Sequence, residues 1–282
     1  MKRHCDEPSF SPTVLFPYLE HLSPETLPVK HYHLSELPST NDTAKDLLRR
    51  NPPERLFVVT TDFQTHGRGR NGKVWIGEQE ANVYCSVGIR HSAPPEESRL
   101  IMFQIIGCLA AKAALHEACR HAGYEVEFVL KYPNDVYMVL PNITPRQRRK
   151  ISGVLVEHEF VGVTCVSSVI GIGINVRQQH FPDDLTVKAS SLLREGIDTT
   201  TDEVRHALLR YIQLFLKQPT HALFTAWREE LQLEGEHISI AGEQGLWRVE
   251  RLQEDGRLFV SHTETKHQRF VDNGDSIIRA DW

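Results

Sequence analysis

Between positions 63 and 77 the chain carries three permanent cations, Arg68, Arg70 and Lys73, together with His66 and no acid. Glycines at 67, 69 and 72 interleave with them. Glycine lets the backbone fold tightly and brings its N–H groups close to a ligand. Arginine adds planar forks suited to carboxylate and phosphate oxygens. Such a loop could clamp an anion, and the same composition also fits a solvated turn. It is neither a Walker loop, since GxxxxGK[ST] is absent, nor a GxGxxG fingerprint at a strand–helix junction.

Three further segments hold chemistry-bearing residues. Lys131-Tyr132-Pro133-Asn134-Asp135 sets a cation, a rigid turn and a carboxylate in sequence, though Pro-Asn-Asp is also ordinary hairpin chemistry. Lys150-Ile151-Ser152-Gly153 opens an apolar run; Gly153 would leave the backbone open beside the Lys150 ammonium, or the lysine simply frays into solvent. Gly171-Ile172-Gly173-Ile174-Asn175 ends another apolar run in an amide that could read a base edge or cap the turn. His31 and His33 share a strand face without a third metal ligand. The basic run at 146–150 reads as a solvated loop. Asn41-Asp42-Thr43 and Asn142-Ile143-Thr144 match the glycosylation pattern, but nothing suggests a secretory route.

The elements needed to position these residues are legible in outline. Strands are expected at 31–37, 56–61, 82–89, 127–130, 136–139, 150–157 and 164–173. Ser39-Thr40-Asn41 caps a helix through 50, and Pro52-Pro53 stops it. A long apolar helical pattern covers 98–122, with Gly123 placed as a C-cap. Helices at 202–217, opened by a Thr200/Glu203 capping box, and 221–231 follow. Beyond Leu233 short strand candidates at 238–240, 247–249, 258–260 and 276–278, with glycine turns at 242, 245, 256 and 274, suggest a small antiparallel barrel. The expected division is a proline-punctuated extension at 1–30, a catalytic domain at 31–232 and the barrel at 233–282.

With 282 residues, 40% apolar and 24% charged, the composition is that of a globular protein of about two domains. A net charge of −5 argues against general nucleic-acid binding. Residues 233–282 hold six Lys or Arg against ten Asp or Glu, which disfavours that partner for the barrel as well. The best candidate for a membrane span, 100–115, is interrupted by Gln104 and Lys112, so none is expected. Five widely spaced cysteines without a CxxC read as reduced thiols in a cytoplasmic protein.

Taken in order, Ser39-Thr40-Asn41, Gln64-Thr65-His66-Gly67-Arg68-Gly69-Arg70 with Trp75, Lys131-Tyr132-Pro133-Asn134-Asp135, Lys150-Ile151-Ser152-Gly153-Val154-Leu155-Val156-Glu157 and Gly171-Ile172-Gly173-Ile174-Asn175 resemble the biotin protein ligases over about 31–280. The resemblance implies an α+β fold: a class II synthetase-like catalytic domain, with helices on one face of a mixed, mainly antiparallel sheet, plus a small SH3-like barrel. It implies that ATP and biotin, with Mg²⁺, form biotinyl-5′-AMP, which a lysine of a biotin carboxyl carrier domain then attacks. Arg68, Arg70 and Lys150 match the cations at the α-phosphate, where losing one such donor costs on the order of 10²–10³ in rate. The loop is expected to order over the adenylate and exclude water. Ser39, Thr40, Asn41, Gln64, Gly67, Arg68, Gly69, Arg70, Lys150 and Gly153 would form the biotin pocket. Lys73, Trp75, Lys131, Asn134 and Asn175, with Arg68, Arg70 and Lys150, would take the nucleotide.

Transfer has its own requirement. With a free pKa near 10.4, about one lysine in a few thousand is neutral at pH 7. Asp135 is the candidate to orient or deprotonate the incoming amine, and Asp135→Asn is expected to slow transfer more than adenylation. Asn71 and Lys73 replace the arginines of many bacterial members, and Tyr132 replaces the more usual Trp. Thirty residues ahead of the catalytic pattern suggest no winged helix, hence no operator binding; a homodimer fits the resemblance. The competing readings are a lipoate–protein ligase-like enzyme, whose Arg-Arg, triple-glycine, His-Asp pattern is absent, and a non-catalytic adaptor derived from the fold, which would have lost the cations.

Overall fold

The computed structural model describes residues 29–96, 99–140, 147–185, 188–271 and 277–279. Most of the N-terminal extension, with the expectation of no DNA-binding module attached to it, lies outside the described residues. So do Arg146 of the basic run, the second Asn-X-Thr pattern, Cys5 and Gly274. The rest of the basic run is described, and its Arg148, Arg149 and Lys150 open a strand paired with residues 137–139 and not the solvated loop expected.

Seven strands, β1 (Lys30–Leu37), β2 (Leu56–Gln64), β3 (Asn82–Arg90), β4 (Phe128–Lys131), β5 (Asp135–Val139), β6 (Arg148–Val161) and β7 (Thr164–Asn175), form one sheet in the order β1-β2-β3-β7-β6-β5-β4. Only β1 and β2 run parallel; every other pair is antiparallel. The β-branched runs of β2, β3 and β7 are buried nearly throughout, as expected of central strands covered on both faces.

Helix α1 (Thr40–Arg49) starts at Ser39, whose hydroxyl accepts the Asp42 N–H. Helix α2 (Ile101–His121) ends where Gly123, at φ +84°, accepts the left-handed turn. Helix α3 (Thr201–Phe215) opens on the complete Thr200–Glu203 capping box, and α4 (Thr220–Leu231) follows. Helices α2, α3 and α4 share a single apolar core with one sheet face. Contrary to the one-faced arrangement expected, α1 covers the opposite face, where Ala44 and Leu48 pack on Phe57, Val59 and Val169. Alternation explains it: Ile170, Ile172 and Ile174 point to the α2 side, leaving Val169, Gly171 and Gly173 on the α1 side.

Helix α2 corrects another expectation. By length and composition it is apolar enough to cross a membrane despite Gln104 and Lys112, yet 78% of its most apolar window is buried inside the protein. Its Lys112 ammonium is ion-paired to Glu230 of α4. It is a core helix.

The C-terminal segment forms a second, wholly antiparallel sheet of β8 (His237–Ile240), β9 (Trp247–Leu252), β10 (Leu258–His262), β11 (Gln268–Val271) and β12 (Ile277–Arg279), in the order β11-β10-β9-β8-β12. Its apolar residues Ile238, Val249, Leu258 and Val260 join the main core. The Tyr132 hydroxyl donates to the Gly256 carbonyl at 2.7 Å and so bolts the β9–β10 turn to the Lys131–Asp135 turn.

Candidate active site

Gly171 and Gly173 of β7 face the α1 side of the sheet, and Gly153 of β6 lies opposite Gly173. The space they leave is filled by site residues. A Cβ on Gly171 would lie 2.1 Å from Asn41 Oδ1; one on Gly173 would lie 2.7 Å from the Trp75 ring. One on Gly153 would meet both Trp75 and the Lys150 ammonium within 3.1 Å. Bare sheet backbone therefore allows the α1 N-terminus and the indole to lie directly on the strands.

Over this floor opens a cavity of about 620 Å³. Ser39, Thr40, Asn41, Gln64, Arg68, Gly69, Arg70, Lys73, Trp75, Lys131, Asn134, Asp135, Lys150, Gly153 and Asn175 all line it, so motifs spread over more than 130 residues converge on one space. Gly67 is the exception among the expected residues. Its carbonyl accepts the Trp75 N–H at 2.9 Å, beneath the lining. The cavity also receives Phe181, Asp184, Leu185 and Lys188, to which the sequence reading gave no role. They arrive because 188–190 runs beside Lys150: the Lys150 N–H donates to the Lys188 carbonyl at 2.9 Å, and the Ser190 N–H to the Lys150 carbonyl at 3.0 Å. No motif marks that loop.

One end of the cavity is neutral and polar. Gln64 Oε1 accepts from the Thr40 N–H at 2.8 Å and the Thr40 hydroxyl at 3.1 Å. Ser86 Oγ lies 2.7 Å from Thr40 Oγ1 and 2.6 Å from Asn41 Oδ1. The Asn41 amide donates to Glu157 at 2.8 Å.

The other end is cationic. Residues 67–75 form a hairpin of their own: Gly69 N–H donates to the Lys73 carbonyl at 2.7 Å, and Arg68 bridges Val74. Asn71 (φ 54°, ψ 37°) and Gly72 (φ 73°) are both left-handed at its tip, a conformation that Asn-Gly supplies at little cost. The Arg70 guanidinium donates to Asn134 Oδ1 at 3.3 Å. Lys150 Nζ pairs with Asp135 at 2.7 Å and stands 5.6 Å from the Trp75 ring centre. Buried polar atoms here without a hydrogen-bond partner include Trp75 Nε1, a donor, and Asn175 Oδ1, an acceptor, although Asn175 Nδ2 donates to the Ser190 carbonyl; Asp135 Oδ1 has its ion pair with Lys150 alone.

Arg68, unlike Arg70, meets two carboxylates. Its Nη2 donates to Asp42 at 2.7 Å and to Glu157 at 2.9 Å. Burial acts against the charge of Glu157, but hydrogen bonds from Lys45, Asn41 and Arg68 outweigh it and hold this carboxyl below the usual range. Burial likewise opposes the charge on Arg68, and Glu157 and Asp42 raise its pKa regardless. Asp42 entered the sequence reading only within the Asn-X-Thr pattern and received no site role. Glu157 closed a quoted motif without receiving a role, and its spacing from Lys150 was the signal that could have found it.

The histidines His31 and His33 both bond the Thr60 hydroxyl, at 2.7 and 2.9 Å. Among the described residues no group of three or more His, Cys, Asp or Glu is arranged to hold a metal ion.

Residues 34–175 match the family described as the biotin/lipoate A/B protein ligase family. The chain belongs to that family. Within the biotin/lipoate ligases, it is 33% identical over 195 residues to the bifunctional ligase/repressor BirA of Bacillus subtilis, covering 67% of this chain and 54% of that protein. It is 31% identical over 170 residues to the biotin–[acetyl-CoA-carboxylase] ligase of Mycobacterium tuberculosis, covering 58% of this chain and 56% of that one. The chain thus spans about half the length of these curated relatives. A crystallised biotin protein ligase from Aquifex aeolicus, in complex with biotin and ATP, superposes with a TM-score of 0.64 at 26% identity, covering 89% of this chain and 99% of that one.

Proposed function

We propose that this ligase-family protein activates biotin as biotinyl-5′-AMP and transfers it to a lysine of a biotin carboxyl carrier domain. The single observation carrying the reading is the shared cavity: a neutral polar end beside cations, at the place where five motifs meet. Support for biotin over lipoate comes from the Mycobacterium tuberculosis relative and the Aquifex aeolicus structure, whose names specify biotin.

In the first step a biotin carboxylate oxygen bonds to the α-phosphorus of ATP, and the α–β bridging P–O bond breaks to release pyrophosphate. Bringing a carboxylate against a triphosphate requires fixed positive charge, which Arg70, Lys73, Lys131 and Lys150 supply from the cavity wall. Ser39, Thr40, Asn41 and Gln64 would hold the uncharged ureido ring, with Gly153 leaving the floor open. Asn175 Oδ1, buried and unspent, suits an adenine amino group, and the indole of Trp75 suits its ring. Asp184 is a cavity-lining carboxylate that would help hold Mg²⁺, which usually binds one or two carboxylates plus substrate phosphates and would neutralise the departing pyrophosphate. In the second step the carrier amine bonds to the acyl carbon, the C–O bond to AMP breaks, and an amide forms as the amine loses its proton. Asp135 would orient that amine; because it also holds Lys150, its influence extends to the first step.

The proposal includes the finer architecture: a catalytic domain at about 31–232 and an SH3-like barrel formed from the second sheet. A reducing cytoplasm suits the four free, buried thiols of Cys85, Cys108, Cys119 and Cys165. The test is mass spectrometry of the purified full chain with Mg²⁺-ATP and an apo carrier domain, offering biotin and lipoate side by side. Biotinyl-AMP and a biotinylated carrier are expected. Preference for lipoate, or no acyl adenylate with either acid, would refute the reading.

A further inference from the structure

Ser86 belongs to none of the motifs, yet it is wholly buried on β3, directly opposite Gly171 of β7. Four oxygens stand in a row through it: Asn41 Oδ1, Ser86 Oγ, Thr40 Oγ1 and Gln64 Oε1, spaced 2.6, 2.7 and 3.1 Å. These three contacts share only two hydrogens, those of the Ser86 and Thr40 hydroxyls. Their direction is set from one end. The Asn41 amide nitrogen faces the Lys45-paired carboxylate of Glu157 at 2.8 Å and the Leu155 carbonyl at 3.3 Å. Both are acceptors, so both amide hydrogens are committed and Oδ1 must face Ser86. That oxygen can only accept, so the Ser86 hydrogen goes to it. The Thr40 hydrogen then goes to Ser86 or to Gln64, and in either case Thr40 keeps none to give a ligand. At the other end the Thr40 backbone N–H, a donor, holds Gln64 Oε1 toward itself and turns the Gln64 amide hydrogens elsewhere.

We propose that Ser86 is a positioning residue that sets the hydrogen-bond polarity of the neutral end: by passing its own hydrogen to Asn41 and offering its oxygen to Thr40, it makes Thr40 Oγ1 an acceptor for a ligand N–H. Gln64, lining the same cavity, supplies amide donors for a carbonyl. A cyclic urea carries both groups side by side, whereas a dithiolane ring carries neither. Without Ser86 only the longer contact to Gln64 holds the Thr40 hydroxyl, which can then turn its hydrogen against the ligand N–H. The inference deepens the ligase reading and rests on it for the ureido ring of biotin. It gives the preference for biotin over lipoate a physical source, since a buried acceptor that meets no N–H is left unpaired.

Titration calorimetry of the full chain with biotin tests this in wild type, Ser86→Ala, Thr40→Val and the double variant. Ser86→Ala removes a single oxygen, so the chain should fold, which thermal unfolding checks. Its Kd for biotin is expected to rise about tenfold, the cost of roughly one hydrogen bond, while the KM for ATP in pyrophosphate exchange stays within about twofold. Thr40→Val should raise the Kd at least as much. Adding Ser86→Ala to it should cost less than about twofold more, because Ser86 acts through the Thr40 hydroxyl. Equal biotin affinity in wild type and Ser86→Ala, or the full tenfold loss again in the Thr40→Val background, would overturn the proposal. Two small probes separate it from the ligase reading: ethyleneurea, a cyclic urea, and its N,N′-dimethyl derivative, which has no N–H. In titrations followed by amide NMR, ethyleneurea should perturb Thr40 and Gln64 more than the derivative does in wild type, and that gap should narrow in Ser86→Ala. The same pattern in a chain that neither binds nor activates biotin would support the role of Ser86 and sink only the ligase reading. Equal responses to the two probes in wild type would overturn it.

Discussion

Lys150 and Asp135 stand 2.7 Å apart on the cavity wall, and neither can be altered without changing the other's electrostatics. Asp135→Asn leaves the Lys150 ammonium without its counter-charge and free to swing, so single-turnover assays should show adenylation slowed as well as transfer. Slowing of transfer alone would mean that the pair has no part in positioning Lys150. Ionisation of His116 contributes to how stability depends on pH. Burial, with Lys112 and Arg120 nearby, pushes the His116 imidazole down to about 4 from 6.5. Between those values the unfolded chain binds a proton that the folded chain refuses, so this contribution is full above pH 6.5 and is lost as pH falls toward 4. From pH 6.5 to 5 the loss is about 2 kcal/mol for this residue. Urea unfolding at pH 7 and 5 should show a smaller drop for His116→Gln than for wild type; equal drops would show that His116 ionises normally.

Strands β6 and β7 were legible as apolar runs; β7 runs two residues past the expected end, whereas β6, at 14 residues, extends well beyond the expected 150–157 into a polar stretch that ends at Val161. The glycines of β7 were legible as a motif but not as a floor. That they leave room for Asn41 and Trp75 depends on which face of the sheet each occupies, and face is settled only once α1 packs opposite α2. The one-sided helix arrangement failed for the same reason: a short amphipathic helix shows that it buries a face, never which layer it meets. Strand β11 was missed because only Phe270 and Val271 of its four residues are apolar, too short a run to show alternation. The segment holding Phe181, Asp184, Leu185, Lys188 and Ala189 carried no periodicity at all, yet these residues line the cavity. Gly173→Ala tests the floor. Its methyl would press on the Trp75 ring, so the indole must shift, and tryptophan fluorescence and the KM for ATP should both change while the chain remains folded. An unperturbed indole and an unchanged KM would show that the close approach is not needed.

Across the molecule one apolar core runs from the seven-stranded sheet through α2 into the second sheet. Tyr132 crosses the join: its ring lies 6.1 Å from that of Trp227, and its hydroxyl bonds the Gly256 carbonyl. Tyr132→Phe keeps the ring and strands that carbonyl, at an expected cost of about 1–3 kcal/mol in chemical denaturation. A difference below 0.5 kcal/mol would mean that water replaces the bond or that the join contributes little. The site's composition was readable at this scale because its residues recur in a fixed order along the chain. Its internal pairing was not, since which carboxylate takes which cation follows from three-dimensional proximity.

Exchange of radiolabelled pyrophosphate into ATP, with and without biotin, addresses the central claim most directly, because it requires carboxylate and α-phosphate to meet in the one cavity. Exchange that depends on biotin in the full chain and falls about 10²-fold in Arg70→Ala is the predicted result. Exchange at the same rate without biotin, or no exchange at saturating biotin and Mg²⁺-ATP, would contradict it.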